Sequence, residues 1–314
     1  MPEQTHPVVT DLPPPLLVVA GPTAAGKSDL ALRLAEQLGG EIISADSMQV
    51  YCGMDIGTAK PSAAERERVR HHLLDICEVT ESFDVSAFVT RAGEAVAGIR
   101  GRRRLPILCG GTGLYLKAFL YGLADAPARD PELRAAIIAT PLEDLLRELA
   151  AADPVTWERI DRQNPRRVIR AIEVIRLTGK PFSEQRSQWS GVPSRYPEAL
   201  LLGVNRQPAE LHRRIDARVE QMFQRGLVEE TRELLARGLE QNPIALQALG
   251  YRQVAEHLRG VRPLDQTIEL VKIRTRQFAK RQMTWFRGQL PLQWVPAEDE
   301  ERAIGKLLSG FARG

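Results

Sequence analysis

An eight-residue loop motif near the start of the chain constrains the fold more than any other feature. Residues 21–28 read GPTAAGKS and match the phosphate-loop pattern G-x-x-x-x-G-K-[ST] at every fixed position. The apolar run 16–20 precedes the motif, and leucines at helical spacing, at positions 30, 34 and 38, follow it. This order predicts a strand, a glycine-containing turn and a helix, the unit from which open parallel sheets are built.

Further apolar runs predict the rest of the sheet. They cover residues 41–45, 105–109 and 200–204, and segments with helical periodicity separate them. Apolar strands that alternate with helices predict an α/β fold, with a P-loop-type parallel sheet core and helices on both faces. We therefore assign residues 1–122 and 200–314 to an α/β core that carries the phosphate-binding loop.

The stretch between these two core segments carries no strand signal. Helical patterns fill it, and Asp130–Pro131 and Asn164–Pro165 each place a capping side chain before a proline at the first helical position. From residue 166 to 177, arginines share one arc of a helix and apolar residues share another. These patterns predict an all-helical insertion domain over residues 123–199.

Each fixed residue of the loop motif has a physical task in binding phosphate. The glycines let backbone amides point at phosphate oxygens, Lys27 adds a positive charge, and the Ser28 hydroxyl can hold Mg²⁺. A nucleotide hydrolase also needs an acid at the end of another central strand. The run 105–109 leads into GGTG without one, and Asp75 follows only two apolar residues. We therefore expect diphosphate binding, whereas ATP hydrolysis has little support.

A second candidate site residue follows the predicted strand 41–45. Asp46 lies at the carboxyl end of that strand, where open α/β sheets bind their ligands. An aspartate in this position can almost equally be the cap of the next helix. The residues that follow it, Ser47, Met48 and Gln49, include side chains that can hydrogen-bond a base edge. They favour the ligand-binding interpretation.

Basic residues are clustered, although the formal net charge is only +3. The segment 272–287 has six Lys and Arg residues and no acid, residues 102–104 form a second run, and Arg166, Arg167 and Arg170 form a third. A solvated helix face would explain any one of these runs. Three runs, one of them beside Trp and Phe, favour a polyanionic partner such as RNA.

Composition argues against several other classes of protein. The three cysteines show no CxxC spacing, so neither a disulfide framework nor a zinc site is expected. No apolar stretch approaches the roughly 20 residues of a membrane-spanning helix. The N-terminal residues lack the pattern of a signal peptide. We expect a cytoplasmic protein without membrane contact, and nothing in the sequence demands more than a monomer.

Six motifs together resemble those of the tRNA dimethylallyltransferase (tRNA isopentenyltransferase) family and occur in that family's order. They are GPTAAGKS, ISADSMQVY, MDIGTAKP, GGTGLY, QNPRR and TRQFAKRQMTWFR, and the match runs from about residue 16 to 290. The resemblance implies transfer of the dimethylallyl group of dimethylallyl pyrophosphate to the N6 amine of the adenine 3′-adjacent to the anticodon in tRNA, with release of pyrophosphate. An ATP-dependent P-loop kinase of a small metabolite is the alternative.

The resemblance also implies roles for individual residues. Asp46 would be the general base, Thr112 of the GGTG turn would lie at the reaction channel, and Ser28 would hold Mg²⁺. The pyrophosphate would be bound by Gly21, Pro22, Thr23, Ala24, Ala25, Gly26, Lys27, Ser28 and Arg218, although Arg214 fits nearly as well as Arg218. The tRNA would be contacted by Asp46, Ser47, Met48, Gln49, Arg134, Gln163, Asn164, Pro165, Arg166 and Arg167. The target adenine would have to leave its stack to reach this channel.

Overall fold

The computed structural model describes residues 15–123, 130–185 and 192–296, together with residues 299 and 305. The chain divides into two compact units, Met1–Leu120 with Arg195–Gly314, and Tyr121–Ser194. The first is an α/β unit, and the described residues of the second contain helices and connecting segments only. Within the described ranges, no helix has the length and apolar character that crossing a bilayer requires.

A parallel sheet of six strands forms the centre of the α/β unit. The strands are β1 (Leu17–Ala20), β2 (Gly40–Ser44), β3 (His71–His72), β4 (Leu105–Gly110), β5 (Leu200–Asn205) and β6 (Gln293–Pro296). Their order across the sheet is β3-β2-β4-β1-β5-β6, and every neighbouring pair is parallel. The strands β1, β2 and β4 are buried along their whole length, as expected for a sheet covered on both faces.

Helices surround this sheet. Numbered along the chain, they are α1 (Lys27–Leu38), α2 (Ala63–Arg68), α3 (Val85–Gly101), α4 (Gly113–Tyr121), α10 (Pro208–Gln224), α11 (Leu227–Ala236), α12 (Tyr251–Leu258) and α13 (Leu264–Gln289). The predicted leucine face of α1 is buried in the core, with Leu30 and Leu34 fully shielded from solvent. The predicted fold class is therefore confirmed.

Two strands lie outside the predicted runs, and both are at the edges of the sheet. The strand β3 has two residues, and β6 begins with a glutamine and ends with a proline. Edge strands pair on one side only and can be short and polar. Neither segment therefore carries the apolar run by which the central strands were recognised.

The helical unit has its own small core. Its helices are α5 (Pro131–Ala139), α6 (Leu142–Ala152), α7 (Pro154–Arg159), α8 (Pro165–Thr178) and α9 (Phe182–Gln185). Ile137 of α5, Leu145 and Leu149 of α6, and Val168 and Ile172 of α8 are among its buried residues. The apolar arc predicted for residues 166–177 is thus confirmed as the packed side of α8.

The two predicted helix caps in this unit differ. The Asp130 carboxylate accepts the backbone N–H groups of Glu132 and Leu133 at 2.9 and 3.0 Å, as predicted. Asn164 is the N-cap residue of α8, which begins at Pro165 as predicted, but within the described ranges its side chain makes no capping hydrogen bond. The backbone N–H of Arg167, which a capping side chain would accept, donates instead to the Asn164 carbonyl at 3.0 Å.

Candidate active site

The phosphate-binding loop, residues 21–28, leaves the carboxyl end of β1 and enters α1. Gly21 passes directly beside β5, since a Cβ atom there would lie 2.9 Å from the Val204 carbonyl oxygen. Gly26 has a φ of 104°, a conformation that glycine adopts without strain. Ala24 is also left-handed, with a φ of 63°, although it carries a side chain. The loop backbone is therefore held in a demanding conformation.

Two arginines outside the loop donate hydrogen bonds to it: Arg206, which follows β5, and Arg214, which lies on α10. Nε of Arg214 donates to the Ala24 carbonyl at 2.9 Å, and Nε of Arg206 donates to the Ala25 carbonyl at 2.6 Å. Two successive carbonyl groups are thus bound to guanidinium groups. The left-handed Ala24 lies at one of these contacts, so Arg214 stabilises the peptide orientation that this conformation requires.

A pocket of about 340 Å³ opens at the loop. It is lined by loop and α1 residues, including Lys27 and Ser28, and by Arg214 and Arg218 of α10. Burial lowers the pKa of Lys27 and also that of Arg218, and the positive charge of Arg218 lowers the Lys27 pKa further. Several cations around a helix N-terminus favour an anionic ligand.

The two candidate arginines for pyrophosphate differ in their partners. Arg214 is bound to Ala24 and lies 4.0 Å from Asp29, with 41% of its side chain exposed. Arg218 has no hydrogen-bond or ion-pair partner within the described part of the chain, although it is half-buried in the pocket wall. An unpaired half-buried cation is the better candidate for direct contact with a ligand anion, because binding would supply its missing partner.

Asp46 and Thr112, which lie far apart in sequence, are brought together at the end of the sheet. The Thr112 amide donates to the Ala45 carbonyl at 3.2 Å, and the Ser47 amide donates to Oγ1 of Thr112 at 3.1 Å. Oδ1 of Asp46 accepts the Met48 amide at 2.9 Å, so this carboxylate also orders its own turn. The structure thus joins the turn at Asp46 to the GGTG turn.

The Asp46 carboxylate interacts electrostatically with two cations of the pocket, Lys27 and Arg218. Its negative charge raises the pKa of both Lys27 and Arg218, in opposition to the larger effect of burial. Interactions of this kind require short separations. Two carboxylates therefore lie close to these cations: Asp46 at the end of β2, and Asp29 of α1, which itself lines the pocket.

The side chain of Gln49 is occupied within the protein. Its Oε1 accepts the Ser44 hydroxyl at 2.8 Å, and its Nε2 donates to the carbonyls of Thr58 and Ala59 at 3.2 and 3.3 Å. Gln49 thus fixes the turn at residues 58–59. Ser47 and Met48, the other residues predicted to contact a nucleotide here, are half-buried.

Asp75 is part of a structural ion-pair group. It pairs with the buried Lys60 and, at 2.7 Å, with Arg66. Lys60 also donates to the Tyr51 carbonyl at 2.6 Å and to Asp55 at 2.8 Å. These contacts account for the position of the Asp75 carboxylate within the protein.

A half-buried carboxylate anchors the MDIGTAKP segment, and no local sequence pattern marks it. Glu230 of α11 accepts the amides of Ile56 and Gly57 and, at 2.6 Å, the Tyr251 hydroxyl. Burial raises the pKa of Tyr251, and the nearby Glu230 charge raises it further, so the phenol stays a donor. A Cβ at Gly57 would lie 2.4 Å from the Tyr251 ring, which explains why this motif needs glycine.

Gln282 of α13 is a second residue that sequence patterns left without a role. It lies in the TRQFAKRQMTWFR motif and is 9% exposed. The Thr23 amide donates to its Oε1 at 2.9 Å, and its Nε2 donates to the Gly111 carbonyl at 2.9 Å. Its carboxamide therefore connects the phosphate loop with the GGTG turn. The only sequence signal for it was the motif that surrounds it.

The residues predicted to touch tRNA from the helical unit are placed on α5, on α8 and just before α8. Arg134 donates to the fully buried Glu173 at 3.0 Å, and Arg170 donates to the same carboxylate at 2.8 Å. Gln163, Pro165 and Arg167 are exposed, and Asn164 is half-buried. The side chain of Arg166 lies outside the described residues.

Two basic residues of the run 272–287 are paired with acidic side chains of the protein. Lys272 pairs with Glu220 and Glu269, and Arg276 pairs with Asp216, so α10 and the first half of α13 supply acids that the run 272–287 lacks. Lys280, Arg281 and Arg287 remain exposed farther along α13. The free positive charge of this helix is therefore concentrated in its C-terminal half.

The donor atoms at the pocket suit a cation that is bound mainly through its ligand. Within the described ranges, no group of three or more His, Cys, Asp or Glu side chains could hold a metal ion. Mg²⁺ commonly takes few protein ligands and completes its octahedron with substrate phosphate oxygens and water. The exposed Ser28 hydroxyl at the pocket fits such a site.

Fold and site define a class of protein with a phosphate loop at the carboxyl end of a parallel sheet, an arginine-lined pocket and an aspartate beside it. The family model described as IPP transferase matches residues 49–289. The chain belongs to this family.

Known relatives are similar along most of the chain. A protein named tRNA dimethylallyltransferase 1 from Citrifermentans bemidjiense is 48% identical over 280 residues, which cover 89% of this chain and 91% of the relative. A protein named tRNA dimethylallyltransferase from Geobacillus thermodenitrificans is 46% identical over 298 residues, or 93% of each chain.

Solved structures agree with this similarity. The full-length tRNA isopentenylpyrophosphate transferase from Bacillus halodurans has a TM-score of 0.70 and 36% identity, covering 95% of this chain and 97% of its own. A eukaryotic dimethylallyltransferase acting on tRNA has a TM-score of 0.78 and 28% identity, covering 95% of this chain and 80% of its own.

Proposed function

We propose that this enzyme transfers a dimethylallyl group from dimethylallyl pyrophosphate to the N6 amine of the adenine 3′-adjacent to the anticodon in tRNA and releases pyrophosphate. Membership of the IPP transferase family and the names of its relatives support this function rather than the kinase alternative. The observation that carries it is the meeting of the cationic pocket at Lys27 and Arg218 with the carboxylate of Asp46.

The cationic pocket receives the pyrophosphate of the donor. Loop residues 21–28 present backbone amides at the start of α1, while Lys27 and Arg218 contribute charge. Negative charge builds up on the pyrophosphate as its bond to the allylic carbon breaks, so these groups bind the transition state more tightly than the donor. Mg²⁺, held in part by the Ser28 hydroxyl, would neutralise part of that charge when bound.

Asp46 serves as the general base at the acceptor end. The N6 amine of adenine is a weak nucleophile, because its lone pair is delocalised into the ring. As the amine bonds to the allylic carbon, its protons become acidic, and the Asp46 carboxylate accepts one of them. We assign Thr112, whose Oγ1 accepts the Ser47 amide, to the channel through which the adenine reaches Asp46. The result is an N6-dimethylallyl adenine, a protonated carboxyl group and free pyrophosphate.

The acceptor adenine is extruded from the anticodon loop to reach Asp46. Extrusion of a base costs a few kcal/mol, which contacts in the pocket offset. We assign RNA binding to the helical unit, which would contact phosphates of the anticodon stem and recognise the RNA mainly by its shape and charge. The residues concerned are Arg134, Gln163, Asn164, Pro165, Arg166 and Arg167. In this proposal the enzyme acts as a monomer in the cytoplasm.

Calorimetry distinguishes this proposal from the kinase alternative. Dimethylallyl pyrophosphate and ATP are titrated separately into the enzyme in the presence of Mg²⁺. The proposal expects dimethylallyl pyrophosphate to bind more tightly, and Lys27→Ala to weaken that binding. ATP binding that is far tighter than donor binding, together with phosphate release from ATP, would instead support a kinase.

A further inference from the structure

We infer that Gln282 is a positioning residue of the transfer reaction, whose carboxamide sets the separation between the phosphate loop and the GGTG turn. The inference rests on the proposed function. It goes beyond that function because Gln282 touches neither the pocket lining nor Asp46 in the contacts described above.

The two hydrogen bonds of Gln282 reach opposite halves of the site. Its Oε1 accepts the amide of Thr23 in the phosphate loop, and its Nε2 donates to the carbonyl of Gly111 in the GGTG turn, both at 2.9 Å. The side chain is 9% exposed, so water competes little for either partner. One rigid planar group therefore spans the gap between the two loops.

The GGTG turn is shaped to receive this side chain. A Cβ at Gly111 would lie 2.6 Å from Nε2 of Gln282 and 3.6 Å from the Gly21 carbonyl oxygen. The turn thus approaches the Gln282 carboxamide more closely than a residue with a side chain would allow, whereas its distance from the phosphate loop is that of an ordinary van der Waals contact. A side chain at position 111 would therefore displace the carboxamide.

From Gly111 the connection continues to the predicted base. Thr112 follows Gly111 and binds the segment at residues 45–47 twice, through its amide to the Ala45 carbonyl and through its hydroxyl from the Ser47 amide. Asp46 lies between those two contacts. Gln282 therefore links the loop that would bind the donor to the turn that carries the base, through its own two hydrogen bonds and the two hydrogen bonds of Thr112.

Glutamine suits this task because a carboxamide accepts and donates in one plane. Glutamate would keep the acceptor for Thr23 and lose the donor for Gly111. Leucine would lose both while keeping a similar volume. In-line displacement depends on alignment of the two substrates, and a misplacement of about 1 Å can cost on the order of 100-fold in rate. Loss of the Gln282 bonds should therefore slow the chemical step more than it weakens binding of either substrate.

The test compares Gln282→Leu and Gln282→Glu with a matched control. Gln253 of α12 is 8% exposed and accepts the Gly250 amide at 2.9 Å, so Gln253→Leu removes a similarly buried hydrogen bond that does not join the two loops. Single-turnover transfer from labelled dimethylallyl pyrophosphate to an anticodon stem-loop RNA is measured at saturating substrate. The KM for the donor, the Kd for the RNA and the Tm are measured for each variant.

We expect Gln282→Leu to lower the single-turnover rate by about 100-fold and Gln282→Glu by about 10-fold, with donor KM and RNA Kd changed by no more than about three-fold. Gln253→Leu should keep the wild-type rate even where its Tm falls as far. A folded Gln282→Leu or Gln282→Glu enzyme with a near-wild-type rate would overturn the inference, as would equal rate losses in Gln253→Leu. Absence of transfer by the wild-type enzyme would overturn the proposed function, and this inference with it.

Discussion

Replacement of the two pocket arginines should separate direct contact with pyrophosphate from support of the loop. Arg218 is half-buried and has no partner among the described residues, whereas Arg214 is bound to the Ala24 carbonyl. We expect Arg218→Ala to remove a charge-assisted contact worth about 2 kcal/mol, which corresponds to a rise of about 30-fold in the KM for the donor. Arg214→Ala removes one hydrogen bond to a neutral carbonyl from a side chain that is 41% exposed. The expected rise is about five-fold, from about 1 kcal/mol.

A second substitution tests the mechanism of the smaller effect. Ala24 has a φ of 63°, and the left-handed region costs a residue with a side chain roughly 1 kcal/mol that glycine does not incur. If Arg214 acts by holding this conformation, Ala24→Gly should recover most of the five-fold loss in the Arg214→Ala enzyme. It should recover none of the loss in the Arg218→Ala enzyme.

The assay is steady-state transfer with varied dimethylallyl pyrophosphate, supported by competition with free pyrophosphate. Ala24→Gly alone is the control and should leave the donor KM within about two-fold of wild type, since Arg214 already holds the loop. A larger rise of the donor KM in Arg214→Ala than in Arg218→Ala would contradict direct contact of Arg218 with pyrophosphate. An Arg214→Ala enzyme that Ala24→Gly leaves unchanged would contradict support of the Ala24 conformation by Arg214.

Three further predictions concern the base, the RNA and acid stability. Asp46→Asn keeps an oxygen for the Met48 amide but cannot accept a proton, so tRNA affinity should persist while transfer falls by about 10²–10⁴-fold; near-normal turnover would exclude Asp46 as the base. Combined Arg166→Ala and Arg167→Ala should reduce the salt slope of tRNA binding by about 2, whereas Arg147→Ala, in the same unit, should not; equal slopes would separate these arginines from RNA. The hydrogen-bonded Arg102 lowers the pKa of Glu41 from 4.5 to about 2, so this carboxylate stabilises the fold above pH 4.5 and loses that effect as the pH falls toward 2. The free energy of unfolding is measured by urea at pH 6 and pH 3, and its loss between these pH values should be up to about 2 kcal/mol smaller in Glu41→Gln than in wild type. This value is a maximum, because Arg102 is 42% exposed and water screens the pair. Identical losses in the two proteins would refute the assignment.

The central strands and the phosphate loop were predictable because local patterns specify them. A buried parallel strand needs a continuous apolar run, and β1, β2, β4 and β5 carry one. The edge strands β3 and β6 pair on one side only, so their residues are less constrained and leave no such pattern. Burial on both faces requires a continuous apolar run, and that run is the signal by which a strand is recognised in the sequence.

Site residues that belong to a recognisable local motif were predictable from the sequence. Residues that act by hydrogen-bonding a segment distant in the chain were not. Asp46 and Thr112 were recognisable from motifs, and the structure brings them together. Gln282 holds the phosphate loop from 259 positions away in the chain, and Glu230 holds Ile56 from 174 positions away. No window along the sequence contains both partners of such a contact, so only the fold reveals them.

Charge patterns showed the same limit. The run 272–287 contains no acid, yet Lys272 and Arg276 are paired with acids of α10. Arg134 and Arg170 share the buried carboxylate of Glu173. The positive charge counted within a basic run therefore exceeds the unpaired charge that a polyanion would meet, because tertiary contacts bring acids from other helices.

The most direct test is to locate the label after incubation of the wild-type enzyme with isotopically labelled dimethylallyl pyrophosphate, Mg²⁺ and tRNA. Nuclease digestion and mass spectrometry then identify the modified nucleoside and its position. The account predicts one labelled group on N6 of the adenine 3′-adjacent to the anticodon, released pyrophosphate in equal amount, and no label when that adenine is replaced. Unlabelled RNA together with consumption of ATP at the phosphate loop would contradict it.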